Sequence, residues 1–151
     1  MEGETGKKMD VVGVICEYDP FHRGHERQFE LIRQRLPGAA ILCLMSGCFT
    51  QRGAPALYSP AFRAGRALLA GADIVLELPA AFAVREAENF ALGGVSLLTD
   101  LRFVTHLSFG AEDELSALEP IAGELNRPGE RFTETLKKEL NAGASFAAAQ
   151  G

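Results

Sequence analysis

Residues 17–25 read EYDPFHRGH and follow the apolar run VVGVIC. Two imidazoles three positions apart, with a glycine between them, suit the handling of an anion. Gly24 lets the backbone come close to a ligand. A helix opening near His25 would aim unpaired N–H groups and the positive end of its dipole at the same point. His22 and His25 add directional donors without the full desolvation cost of a buried lysine. Pro20 stiffens the approach, and Phe21 is expected to pack beneath the loop. Zinc is the competing reading of an HxxH pair, but Glu17 or Asp19 would have to complete its ligand set. The order strand, tight loop, HxGH, helix favours phosphate.

Other residues invite weaker readings. Arg52, in a QRG turn, can present its guanidinium fork to a phosphate or to RNA, and a solvated loop arginine is the equal alternative. Arg63 and Arg66 fall on a helical stretch and are expected at the surface, as most charged residues are. Glu77 interrupts an apolar strand just before Pro79, which suggests a buried carboxylate with a structural hydrogen-bonding role. Glu86 and Glu88 read as a solvated helix start. Cys48 has no histidine near it in sequence to activate it as a nucleophile.

The elements that must position these residues alternate between strand and helix. Residues 11–15 are apolar on both faces, as strands of a parallel sheet are. Residues 26–36 place Phe29, Ile32 and Leu36 on one helical face until Pro37 and Gly38 end it. Residues 39–45 form a second strand, followed by a long loop rich in glycine and proline. Ser59 caps a helix with Pro60 at its first position. A third strand spans residues 73–79, residues 80–101 are mostly helical despite Gly93 and Gly94, and residues 105–110 form a fourth strand. Amphipathic stretches follow around 115–125 and 132–140. The implied fold class is α/β: a Rossmann-like open, mostly parallel sheet with helices on both faces. Ligands of such sheets bind beyond the carboxyl ends of the strands, which points to loops 16–25, 46–59, 79–86 and 110–113.

A chain of 151 residues, 47% hydrophobic, has room for one domain with a real core. Its net charge of −5, with no basic block, offers no broad footprint for nucleic acid or anionic membrane, which leaves RNA to a local patch. Cys16, Cys43 and Cys48 are odd in number and lack CxxC spacing, arguing against a disulfide framework or zinc knuckle and for a reducing cytoplasm. No uncharged run is long enough to span a bilayer. Residues 1–8 are expected to be a disordered extension, with residues 9–151 one ATP-binding domain shortened at its C-terminal end.

The strand followed by PFHRGH resembles the HxGH signature of the nucleotidyltransferase superfamily. With MSGCFTQRG, GADIVLELP and LSFGAED in the same order, the chain is similar to the bacterial tRNA(Met) cytidine acetate ligase family. The resemblance implies that ATP, with Mg2+, and acetate give acetyl-adenylate, and that the acetyl group passes to N4 of the wobble cytidine of elongator tRNA(Met). It also implies a nucleotide site lined by Ile15, Cys16, Glu17, Tyr18, Asp19, Pro20, Phe21, His22, Arg23, Gly24, His25, Gln28 and Gly110. His22 and His25 would act catalytically at the phosphates and Arg52 would be a substrate contact, with no protein-bound metal. Asp19 departs from the family pattern, where asparagine is expected; so do Ala111, for serine, and Pro60 with Ala61, for lysine and tryptophan. An extra carboxylate beside a triphosphate must face a magnesium ion or turn away. Two other readings stand beside this one: an adenylyltransferase acting on a small phosphorylated metabolite, and a non-catalytic nucleotide-binding fragment.

Overall fold

The computed structural model describes residues 8–145 and Ala148. Residues 1–7 of the expected N-terminal extension lie outside that range. Two compact units are present, Met1–Gly110 and Ala111–Gly151.

The first unit is built on four parallel strands, β1 (Val11–Cys16), β2 (Ala40–Ser46), β3 (Ile74–Leu78) and β4 (His106–Leu107), in the order β3-β2-β1-β4. Helices α1 (Arg23–Arg35), α2 (Pro60–Leu69), α3 (Ala80–Ala83) and α4 (Ala87–Asp100) complete it. Side chains alternate along β1 and β2 between two apolar layers. Val12, Val14, Ile41 and Cys43 pack with Phe29, Ile32 and Ala67 of α1 and α2, while Leu42 and Leu44 pack with Ala83 and Leu98 of α3 and α4. Burial on both faces explains why β1 and β2 read as continuous apolar runs.

Three boundaries differ from the sequence expectation. First, α1 starts at Arg23, because His22 caps it. Second, residues 80–101 are mostly helical, as expected, but in two pieces, since Val84–Glu86 separate α3 from α4. Gly93 and Gly94 do lie within α4, where a Cβ would fall 2.4 Å from the Phe82 ring and 2.6 Å from Ile15. These glycines admit side chains from α3 and β1 rather than bending the helix. Third, β4 is only two residues long, although Thr105 N–H and Ser108 N–H extend its ladder to the carbonyls of Val11 and Gly13, each at 2.9 Å.

The second unit contains α5 (Leu115–Asn126) and α6 (Glu130–Asn141), which agree with the two amphipathic stretches. The Glu124 carboxylate accepts from Gly129 N–H at 2.8 Å across the turn that joins them. Among the described residues, no helix of either unit is long and apolar enough to cross a membrane.

Candidate functional site

At the carboxyl end of β1 the chain turns through residues 17–22 into α1. His22 is the N-cap, with extended backbone, and its Nδ1 accepts from Gly24 N–H at 3.1 Å. Nδ1 of His25 in turn accepts from His22 N–H at 3.2 Å, which closes a reciprocal capping box made of two imidazoles. The rings stack with centroids 3.7 Å apart and an interplanar angle of 22°. Gly24 is needed for space: a Cβ there would sit 2.9 Å from Cε1 of the His22 ring.

This arrangement fixes the tautomers. A ring nitrogen that accepts a hydrogen bond carries no proton, so in each neutral imidazole the proton resides on Nε2. Of the first-turn N–H groups expected to meet the anion, the cap leaves only that of Arg23 bare. His22 and Gly24 N–H bond to the rings, and His25 N–H bonds to the His22 carbonyl at 2.9 Å. The donors on offer are therefore Arg23 N–H, which has no partner among the described residues, and the imidazole Nε2–H groups, all at the positive end of the helix dipole.

Burial, helped by the adjacent His22, pushes the His25 pKa down to about 4. The covering groups are aromatic: Tyr18 and Phe21 lie with ring centroids 4.6 and 5.3 Å from that of His25. Tyr18 is itself buried, its hydroxyl 3.5 Å from Cys43 Sγ, and it holds a positive φ of 54°. A bulky residue in that region is strained, at a cost of about 1–3 kcal/mol. Burial of the ring opposes that strain. Phe21 packs on the core beneath the loop, as expected.

The loop after β2 is tied to the first loop by its acidic side chains. Glu17 accepts from Gln51 N–H, and the Asp19 carboxylate accepts from Leu57 N–H at 2.7 Å and Tyr58 N–H at 3.1 Å. Asp19 is thus occupied by the neighbouring loop. The side chain of Gln51 continues the chain of contacts to the carbonyl of Arg85, 2.6 Å away. Arg52 lies exposed between these anchors, beside Gly53 at φ 77°. On the other side of α1, Gln28 donates to Ser108 Oγ at 3.1 Å and so joins the helix to the segment leading to Gly110. Gly110 is exposed, and a Cβ there would meet nothing within 4 Å.

Not all the residues expected at the site present side chains there. Cys16 and Tyr18 are buried in the core layer beneath α1, and burial raises the thiol pKa of Cys16. Ile15 packs on the opposite layer. Only the backbone of these three is left to line a ligand. Pro20, His22, Arg23 and Gly24 are exposed, and Asp19, Phe21, His25 and Gln28 half-buried.

Arg63 overturns the surface expectation. It is 1% exposed and donates through Nε to the Tyr58 carbonyl at 3.0 Å and through its two Nη groups to the carbonyls of Glu17 and Gly47. Arg66 is exposed, as expected. Glu77 reverses the other way, being exposed and lying against Gly47, where a Cβ would collide with its carboxylate. As the last-but-one residue of edge strand β3, it escapes the cover that central strands receive.

Two imidazole Nε2–H donors at a helix start, at the carboxyl edge of a parallel sheet, fit a phosphate chain. The chain is 46% identical over 139 residues to a tRNA(Met) cytidine acetate ligase of Syntrophomonas wolfei, covering 91% of this chain and 33% of that protein. It is 42% identical over 144 residues to one of Clostridium kluyveri, covering 95% and 35%. It therefore spans about a third of the length of the curated relatives it matches. Among solved structures it is similar to Thermotoga maritima TmcAL bound with alpha-thio ATP, with a TM-score of 0.87 and 38% identity over 94% of this chain and 34% of that one. The model of the HIGH nucleotidyl transferase family matches residues 9–151, and the two stacked histidines of the HxGH motif head the first helix. The chain belongs to the HIGH nucleotidyl transferase family.

Proposed function

We propose that this chain supplies the ATP-binding part of a cytoplasmic tRNA(Met) cytidine acetate ligase. The observation that carries the reading is the imidazole pair, whose Nδ1 atoms are engaged in capping and whose Nε2–H groups remain as donors. In the first step an acetate oxygen attacks the α-phosphorus of ATP, the bond from that phosphorus to the bridging oxygen breaks, and pyrophosphate leaves. Negative charge grows on the α-phosphate and on the leaving oxygen. His22 and His25 would strengthen their bonds to those oxygens as it does, with no reorganisation required because the cap already holds both rings. In the second step N4 of the wobble cytidine of elongator tRNA(Met) attacks the carbonyl carbon of acetyl-adenylate, AMP departs and the amine loses a proton.

Other residues take supporting parts in this reading. The backbone of residues 15–21 approaches the nucleotide, Arg23 and Gln28 flank the cap, and Gly110 leaves open space for a ligand group. Arg52 offers a cation to the tRNA backbone from the exposed tip of its loop. Mg2+ is expected to arrive on the phosphates. The carboxylates of Glu17 and Asp19 already accept backbone N–H groups and offer it no separate cage.

The test joins this chain to the remaining two thirds of the Syntrophomonas wolfei relative. Acetate-dependent exchange of ATP with pyrophosphate, and transfer of labelled acetate to tRNA(Met) but not to free cytidine, are the expected results. Adenylyl transfer to a phosphopantetheine or mononucleotide acceptor would support the metabolite adenylyltransferase instead, and binding of ATP without either reaction would support a non-catalytic fragment.

A further inference from the structure

Among the described residues, Arg63 is a buried cation without a buried anion. Among the described residues no carboxylate lies within ion-pairing distance of it, and its three bonds all go to main-chain carbonyls, those of Glu17, Gly47 and Tyr58. Those carbonyls belong to three separate stretches of chain: the exit of β1, the exit of β2 and the lead into α2. A guanidinium can satisfy them together because its donors are spread over a rigid planar fork. The ammonium of lysine gathers its donors on one atom and cannot.

The connection to the histidines is short. The carbonyl of Glu17 is held by Arg63 while its carboxylate is held by Gln51 N–H, so residue 17 is fixed from two sides. Tyr18 follows at positive φ and lays its ring against His25. The far end of the 47–58 loop is gathered into the same hub, since the Tyr58 carbonyl binds Arg63 while Tyr58 N–H binds Asp19.

We propose that Arg63 is a positioning residue for the phosphate-binding histidines: its fork locks the loops leaving β1 and β2 together and thereby sets where the His25 ring stands. The part that concerns phosphate rests on the ATP-binding reading above; the part that concerns ring position does not.

The experiment follows the Cε1–H NMR signals of His22 and His25 in the 151-residue chain, with and without ATP, in Arg63→Lys and Arg63→Met. Ile41→Val, a core change away from the loops, controls for general destabilisation. Both Arg63 variants are expected to shift the ring signals before ATP is added and to weaken ATP binding by about tenfold or more, lysine giving no rescue because the lost contacts are charge-assisted and geometric. Ile41→Val should leave the ring signals in place. Parent-like ring signals and affinity in a folded Arg63→Lys chain would overturn the proposal. If the parent chain does not bind ATP, the phosphate reading fails, and the ring signals of the variants still decide the role of Arg63. If both variants fail to fold, the parent's Arg63 Nε–H decides: slow solvent exchange supports the buried fork, and exchange at the rate of a free arginine refutes it.

Discussion

The imidazole rings of His22 and His25 lie stacked 3.7 Å apart, each with Nδ1 accepting a main-chain N–H of the same helix start. The two side chains therefore do two jobs with two different atoms. Nδ1 stabilises the helix, and Nε2–H is left to act on a ligand.

Because the jobs are divided between atoms, substitution can separate them. His22→Ala removes both and should lower stability by about 1 kcal/mol, the usual worth of a helix cap. His22→Asn keeps a capping side chain and should recover most of that loss. Both variants should lose about 10²- to 10³-fold in the rate of adenylate formation when measured in the joined protein, as for other deleted transition-state donors. Thermal unfolding and ATP/pyrophosphate exchange provide the two readouts. Recovery of exchange activity by asparagine would show that capping alone matters.

Gly24→Ala tests the space reserved for the His22 ring. Alanine favours a helix over glycine by up to about 1 kcal/mol, but its Cβ would fall 2.9 Å from the ring and push the cap away. The two effects should nearly cancel in stability while ATP affinity falls. A Gly24→Ala chain that binds ATP like the parent would mean that the ring position is unimportant.

His25 also makes a pH prediction. Its folded pKa of about 4 lies below the ordinary histidine value of 6.5, chiefly through burial. Between those values the unfolded chain binds more protons than the folded one, so the contribution to stability is fully present above pH 6.5 and is lost as pH falls towards 4. An NMR titration should give His25 a midpoint well below 6.5. A midpoint at or above that value would contradict the packing of Tyr18 and Phe21 around the ring.

Asp19→Ala should loosen the loop after β2. Loss of the acceptor shared by Leu57 and Tyr58 N–H is worth about 1–3 kcal/mol, enough to speed hydrogen exchange at those two amides by roughly tenfold or more. Asp19→Asn retains one acceptor oxygen and should fall between parent and alanine. Unchanged exchange at both amides in the alanine variant would dissolve the clamp.

The sheet and the HxGH loop were legible in sequence because their signals are local. Strands buried on both faces are apolar throughout, Ser59 and Pro60 mark a helix start, and Pro37 with Gly38 mark a stop. The capping box escaped because histidine is not an ordinary cap residue, and because an alternative use for its ring was already at hand. Arg63 escaped for a different reason: its acceptors are carbonyls 5, 16 and 46 positions away, and carbonyls carry no sequence identity. Asp19 looked like an extra charge beside the phosphates for the same reason, since the N–H groups that occupy it lie 38 and 39 positions on. Contacts made to the main chain across long separations leave no trace in residue type.

The most direct test of the account is 15N NMR of the chain with labelled imidazoles, at pH 7, before and after addition of ATP. His25 is expected to be neutral, both rings to carry Nε2–H with Nδ1 unprotonated, and both Nε2 resonances to move when ATP is added. Protonated Nδ1 on either ring, or Nε2 resonances indifferent to saturating ATP, would contradict the account.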